Sequence, residues 1–204
     1  MTSIALIGAS GNIGSRVLDE ALRRGHKVTG TTRDAAKLSA RPNLAVAVAN
    51  TADVAAMAAT LKGHDVVVAS VKWNEADILE VLDAIRRAGV KRALFVVGAG
   101  SLLRADGRTH FEHMAEKGIQ PPTSKPAALA LERIRKADDL DWTAISPPAS
   151  IQPSERTGKF RLGLERLIED DKGQSLISRE DFAIAIVDEI ETPGHVGKRF
   201  TAGY

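Results

Sequence analysis

The chain has 204 residues, 44% hydrophobic and 26% charged, with a formal net charge of +2, a composition typical of a globular protein with one well-buried core. So small a charge, dispersed among acidic residues, predicts no nucleic-acid partner. The absence of cysteine excludes disulfides, thiolate nucleophiles and cysteine-ligated metals and suits a cytoplasmic location. Since no apolar run approaches the ~20 residues of a membrane span and the first residues lack a signal-peptide pattern, we expect no membrane association.

Strand and helix signals alternate along the chain. The predicted strands are, in chain order, SIALIG, HKVTGTT, NLAVAVAN, KGHDVVVASV, KRALFVVGAG, DWTAIS and KRFTAGY. Helical periodicity follows the first strand, begins again near Asp53, and recurs over residues 75–88 and 125–137. A last helix begins at Ser178, where Asp181 completes a pattern like a capping box. Residues 104–123 show no steady period, and residues 150–177 interrupt the alternation.

Repeated strand–helix alternation predicts βαβ units and therefore a parallel sheet with helices on both faces. We predict an α/β fold, a Rossmann-like doubly wound sheet in a single domain over residues 1–204. The interruption near residues 150–177 is interpreted as a small excursion on the substrate side. Composition leaves the oligomeric state open between monomer and homodimer.

Three glycines follow the first predicted strand in the pattern G-x-x-G-x-x-G, at Gly8, Gly11 and Gly14. A tight turn from a strand into a helix leaves amide groups that favour an anion, and glycine lets the backbone approach a pyrophosphate closely. The pattern predicts a dinucleotide-binding loop, with the alternative that the glycines serve turn geometry alone. The cofactor-binding residues predicted from this loop are Gly8, Ser10, Gly11, Asn12, Ile13 and Gly14.

Arg33 lies at the tip of the second predicted strand, 19 residues after Gly14. A carboxylate at this point selects NAD, whereas an arginine can pair with a 2′-phosphate. Arg33, with Thr32 and Lys37 close by, therefore predicts a preference for NADP(H) over NAD(H). The alternative is a solvated arginine beside Asp34.

The sequence resembles the NAD(P)H-flavin reductases, small atypical short-chain dehydrogenase/reductases related to biliverdin reductase B. The resemblance covers nearly the whole chain and rests on these segments, in this order: ALIGASGNIG, VTGTTRDAAKL, LKGHDVVVASV, KRALFVVGAGSL, LDWTAISPP and ERTGKFRLG. It implies a Rossmann fold with the cofactor across the carboxyl ends of the strands, and a flavin that is a substrate rather than a bound prosthetic group.

Within that crevice we expect Ser70, Gly98, Ala99 and Pro147 to contact the cofactor, because they follow the fourth, fifth and sixth predicted strands. The expected substrate contacts are Trp73, Ser101, Pro148 and Arg156. Ser101 is the candidate catalytic residue, in a positioning role, with a turn serine as the alternative. Trp73 is interpreted as a stacking wall for a planar substrate or as a lid residue that buries itself without ligand. Arg156 is interpreted as an anion clamp or as part of a charged loop.

The chain lacks the Tyr-x-x-x-Lys pair used by most short-chain dehydrogenases, because its single tyrosine is the last residue, Tyr204. Hydride transfer to a flavin needs no such acid, since the ring is already electrophilic and positioning supplies much of the catalysis. The expected function is an NADPH-dependent reductase of a flavin or a similar planar small molecule, with no metal site. The alternative is a non-catalytic NADP(H)-binding redox sensor. His110 and His113 are interpreted as solvated histidines.

Overall fold

A computed structural model describes all 204 residues. The strands are β1 (Ser3–Ile7), β2 (Lys27–Thr32), β3 (Leu44–Val48), β4 (Val66–Ala69), β5 (Arg92–Val96), β6 (Asp141–Ser146), β7 (Ser150–Gln152), β8 (Arg161–Gly163), β9 (Leu176–Ser178) and β10 (Lys198–Gly203). The helices are α1 (Gly14–Arg23), α2 (Val54–Leu61), α3 (Ile78–Ala88), α4 (His110–Glu116), α5 (Ser124–Ile134) and α6 (Arg179–Glu191), with a 3-10 turn at Ala35–Lys37.

Eight strands form one sheet in the order β3-β2-β1-β4-β5-β6-β10-β8. All neighbouring pairs are parallel except β10 with β8, and Ser3 of β1 pairs in register with Lys27 of β2. The chain moves outward from β1 to β3, then crosses to β4 on the other side of β1 and moves outward again. The predicted doubly wound, Rossmann-like α/β fold is therefore confirmed.

Each face of the sheet is covered by helices, which explains why the central strand β4 is apolar at every position. In β4, Val67 and Ala69 pack into a core with α2, α3 and α5, whereas Val66 and Val68 pack into a second core with α1 and α6. The two cores contain 26 and 21 buried residues, and this packing holds the carboxyl ends of the strands in fixed positions.

The third long helix begins later than its periodicity predicts. Asp77 is the N-cap of α3, with its side chain accepting a hydrogen bond from the Leu79 amide at 2.8 Å. The first helical residue is therefore Ile78, and Glu75 lies in the preceding turn, where it faces the carboxyl edge of the sheet.

The polar segment 104–123, left unassigned by its periodicity, contains the short helix α4. A reciprocal capping box begins it, with the Thr109 hydroxyl accepting from the Glu112 amide and the Glu112 carboxylate accepting from the Thr109 amide. Residues 150–177 hold β7, β8 and most of β9; β7 pairs with β9, and β8 extends the main sheet. The longest helix has 13 residues, and no helix is both long and apolar enough to cross a membrane.

Candidate functional site

A cleft of about 750 Å³ lies along the carboxyl ends of the parallel strands. The residues that line it include most of the predicted contacts: Gly8, Ser10, Gly11, Asn12, Ile13, Thr32, Arg33, Ser70, Trp73, Gly98, Ala99, Pro147 and Pro148. They come from loops after five different strands, which the sheet order places side by side. This is the place where open α/β sheets bind ligands.

The glycines of the first loop have separate structural roles. Gly8 has φ +83°, and a Cβ there would lie 2.3 Å from the Ser70 carbonyl oxygen. A Cβ at Gly14 would lie 2.1 Å from the Gly8 carbonyl oxygen, so Gly14 supports the turn from within α1 and does not line the cleft. At Gly11 the nearest atoms are 3.2 and 3.8 Å away, because this position opens into the cleft.

The turn presents unpaired amide groups to the cleft. Helix α1 begins without a side-chain cap, since Ile13 is its N-cap residue. The amides of Ser10, Asn12 and Ile13 donate to no protein acceptor, whereas the Ser10 hydroxyl is held 3.0 Å from that of Thr32. Unpaired amides at a helix N-terminus, beside a glycine without a side chain, fit the pyrophosphate of a dinucleotide.

The rim beyond β2 is positively charged. The Arg33 side chain is 76% exposed, and its Nη2 lies 3.3 Å from Glu75 Oε2. The Lys72 ammonium lies 3.1 Å from Glu75 Oε1, and Lys37 also lines this part of the cleft. The Lys72 and Arg33 charges lower the pKa of Glu75, which is therefore ionised at neutral pH. This rim therefore carries three cations and one carboxylate, which leaves net positive charge for an anionic ligand.

The other half of the cleft, beyond β4, β5 and β6, has a more apolar wall. Trp73 is 8% exposed, and its Nε1 donates to the Val96 carbonyl at 2.8 Å. That bond holds the ring against β5 at the edge of the cleft. Gly98 and Pro148 lie along the same wall. A Cβ at Gly98 would lie 2.9 Å from Ala127 Cβ, so the small residue lets α5 pack close to the cleft.

Comparison with known proteins agrees with this geometry. The family model described as NAD(P)H-binding matches residues 8–193, from the glycine loop to the end of α6. The chain belongs to this NAD(P)H-binding family. The free amides and the open Gly11 position fit a nicotinamide dinucleotide at this turn.

Solved structures similar to this NAD(P)H-binding protein carry different names. A "putative exported protein" from Burkholderia pseudomallei is 40% identical, with full coverage of both chains and a TM-score of 0.87. A "putative epimerase" from Bacteroides thetaiotaomicron is 38% identical over 100% of this chain and 97% of its own, with a TM-score of 0.91. A "putative NADH-flavin reductase" from Streptococcus pneumoniae is 26% identical over 100% and 99%, with a TM-score of 0.80. The TM-scores show a shared fold, and one of the three names is that of a reductase.

Ser101, the candidate catalytic residue, does not line the cleft of this NAD(P)H-binding protein. Its hydroxyl accepts a hydrogen bond from Nη1 of Arg199 at 2.7 Å, and its carbonyl accepts from Nη2 at 3.3 Å. Arg199 is buried and also pairs with Glu165. Ser101 therefore stabilises the buried guanidinium of Arg199, which agrees with the alternative that it is a turn serine.

Arg156, predicted to contact substrate, also lies away from the cleft. Its Nε and Nη2 donate to the Glu20 carboxylate at 3.0 and 2.9 Å. Glu20 is 4% exposed and also accepts from Arg23 and Arg24 of its own helix. Arg156 thus ties the 150–177 excursion to α1, and the charged-loop alternative describes it correctly.

Replacing Glu20 with glutamine is expected to destabilise the fold by about 2–4 kcal/mol, since it leaves three arginines without their shared carboxylate. Burial raises the pKa of Glu20, but hydrogen bonds from Arg23, Arg156 and Arg24 outweigh burial and hold it well below 4.5. The stabilisation is therefore complete above pH 4.5 and is lost as the pH falls below it. Thermal unfolding should show a decrease of roughly 5–15 °C at pH 7, smaller at pH 3. An equal decrease at both pH values would contradict the assignment.

The cleft contains residues that the sequence interpretation missed. His110, expected to be solvated, is 9% exposed and lines the cleft, and its Nδ1 is buried without a hydrogen-bond partner. Burial and the Arg104 charge lower the pKa of His110, so the imidazole is neutral at pH 7. Asn50 follows β3 and Arg179 begins α6. The Thr109–Glu112 capping pattern could have indicated a helix beginning at His110. The position of Asn50 just after β3 could have indicated the ligand-binding edge of the sheet.

The only phenol lies outside the cleft. The Tyr204 hydroxyl donates to Asp181 at 2.8 Å and accepts from the Ser178 amide at 3.2 Å, so it supports the start of α6. None of the cleft-lining residues is tyrosine or cysteine. No group of three or more histidine and acidic side chains is arranged to hold a metal ion.

Proposed function

We propose that the protein is an NADPH-dependent reductase that transfers hydride to a flavin or a similar planar acceptor. The observation that carries the proposal is the continuity of the cleft, which joins a nucleotide half at the glycine turn and Arg33 to an apolar half at Trp73 and Pro148. A bound dihydronicotinamide supplies the hydride, and the protein contributes orientation. The proposed setting is the cytoplasm, to which the cysteine-free composition is suited.

The side chains that line the acceptor half of the cleft favour hydride transfer to a flavin over interconversion of an alcohol and a ketone. Reduction of a carbonyl needs a proton donor, and the cleft offers neither phenol nor thiol. Its one histidine is neutral. A flavin delocalises the charge delivered by hydride, and water in the open cleft can supply the accompanying proton. Positioning against the Trp73 wall is then the protein's main contribution to the rate.

The proposal is tested by mixing the purified protein with NADPH and following loss of its absorbance with FMN, FAD, riboflavin, quinones and bilins. We expect turnover with at least one flavin, and slower turnover with NADH. If NADPH binds but no acceptor is reduced, the reductase proposal is wrong. The absence of a phenol in the cleft then favours the redox-sensor alternative.

Hydride transfer is expected not to depend on any single side-chain acid. Ser101→Ala should change turnover by less than about 10-fold, since Ser101 does not line the cleft, and should chiefly lower stability. His110→Asn should lower kcat/KM for the acceptor by at most roughly 100-fold, the loss of one positioning contact. Steady-state kinetics with both ligands varied would check this. A decrease of about 10⁴-fold in either variant, with unchanged binding, would reveal a true proton donor.

A further inference from the structure

Arg179 is a cation without a counter-ion in the acceptor half of the cleft. It lines the cleft, its side chain is only partly exposed, and its Nε is buried without a hydrogen-bond partner. The guanidinium forms no ion pair and no hydrogen bond with any protein group, whereas Arg33 on the opposite rim has Glu75. A partly buried arginine without a partner is costly, because water is lost and nothing replaces it.

The nearest carboxylates along the chain cannot serve Arg179. Glu180 lies 3.0 Å from Arg16 Nε through one oxygen and accepts from the Ser154 amide at 3.0 Å through the other. Asp181 is fully buried and accepts from the Gly158 amide at 2.9 Å and from the Tyr204 hydroxyl at 2.8 Å. The structure therefore holds both acids away from the cleft and leaves the guanidinium for a ligand.

Helix stability does not explain an arginine at this position. Arg179 is the first residue of α6, where the helix dipole disfavours a positive charge. A stabilising arginine would instead lie in the last turn, as Arg86 and Arg87 do in α3. An anion bound beside Arg179 would be favoured by both the side chain and the helix end.

Arg179 lies on the β6 side of the glycine turn, and its neighbour Glu180 contacts Arg16 near the start of α1. Arg179 follows β9, whose Ile177 pairs with Ile151 of β7, and Ile151, Pro148 and Ala149 line the cleft beside it. Those residues follow β6, four strand spacings or roughly 19 Å from β2, where Arg33 lies. The glycine turn, after β1, lies between the two cations.

We propose that Arg179 binds an anionic group, a phosphate or a carboxylate, carried by the acceptor, so that the protein selects planar acceptors bearing such a group. The inference rests on the proposed reductase function and adds the substrate class. FMN and riboflavin are the matched probes, because they share the ring and the ribityl chain and differ only in the phosphate.

The test is equilibrium binding of FMN and riboflavin to NADP⁺-saturated protein, followed by flavin fluorescence. Wild type should bind FMN about 10- to 100-fold more tightly than riboflavin, the range of a charge-assisted contact. Arg179→Met should abolish the preference by weakening FMN alone, and Arg179→Lys should keep part of it. Arg133→Met, which removes an exposed arginine outside the cleft, is the matched control and should change neither flavin.

Equal binding of the two flavins by wild type, or a preference that survives in Arg179→Met, would overturn the proposal. So would failure of both flavins to bind. If Arg179→Met instead weakens NADP⁺ in a separate titration, the guanidinium serves the cofactor pyrophosphate and the acceptor assignment is wrong. NADPH turnover, measured in parallel, distinguishes the two proposals: a binding preference for FMN without turnover overturns the reductase function and retains the anion site.

Discussion

Replacing Gly11 with valine is expected to weaken NADPH binding by roughly 100-fold or more, the equivalent of two charge-assisted hydrogen bonds, while the protein stays folded. The position has room on the protein side, since the nearest atom to a Cβ is the Gly8 carbonyl oxygen at 3.2 Å. A branched side chain there projects into the cleft, beside the unpaired amides of Asn12 and Ile13. It would keep a pyrophosphate from reaching them.

Two other glycines provide the comparison. Gly14→Ala should lower the melting temperature severely, because its Cβ would lie 2.1 Å from the Gly8 carbonyl oxygen. Gly194→Val should change neither binding nor stability much, since the only atom near its Cβ is a Glu189 carboxylate oxygen at 3.8 Å. Circular dichroism and a fluorescence titration with NADPH would separate the three variants. A Gly11→Val protein with wild-type affinity would show that the loop does not hold the cofactor.

Replacing Arg33 with alanine is expected to weaken NADPH by about 10- to 100-fold and NADH by less than about 3-fold, since only NADPH carries the 2′-phosphate. The Arg33 side chain is 76% exposed and its one protein contact is Glu75 at 3.3 Å, so its removal costs the fold little. Titrations of both cofactors into the variant and into Arg133→Ala, an exposed arginine outside the cleft, would measure the difference.

A substitution at Glu75 provides a second test of the role of Arg33. Its carboxylate lies where it neutralises part of the charge of Arg33 and Lys72. Glu75→Gln should therefore strengthen NADPH binding by roughly 2- to 5-fold, the worth of an exposed ion pair, and leave NADH unchanged. If Arg33→Ala weakens both cofactors equally, the arginine does not select the 2′-phosphate, and the preference for NADP(H) is wrong.

Much of the fold could be predicted from the sequence because its signals are local. Apolar runs such as VVVA in β4 need only their own composition to indicate a strand buried on both faces. The glycine loop could be predicted because Gly8, Gly11 and Gly14 act within one turn. Gly98, Pro147 and Pro148 could be placed in the cleft because each follows a parallel strand, and parallel strands end at a common edge.

The polar side chains that face the cleft could not be predicted from local patterns. Ser101 is hydrogen-bonded to Arg199, which lies 98 residues later in the chain, and Arg156 is hydrogen-bonded to Glu20, which lies 136 residues earlier. No local pattern contains such a pairing, because it depends on which elements the fold brings together and on where a buried charge must be satisfied. Local signals were enough to predict the seven long parallel strands, the glycine turn and the lack of cysteine and of a Tyr-x-x-x-Lys pair. Packing decided that His110 is buried in the cleft and that Arg179 keeps no partner, since the neighbouring acids are used elsewhere.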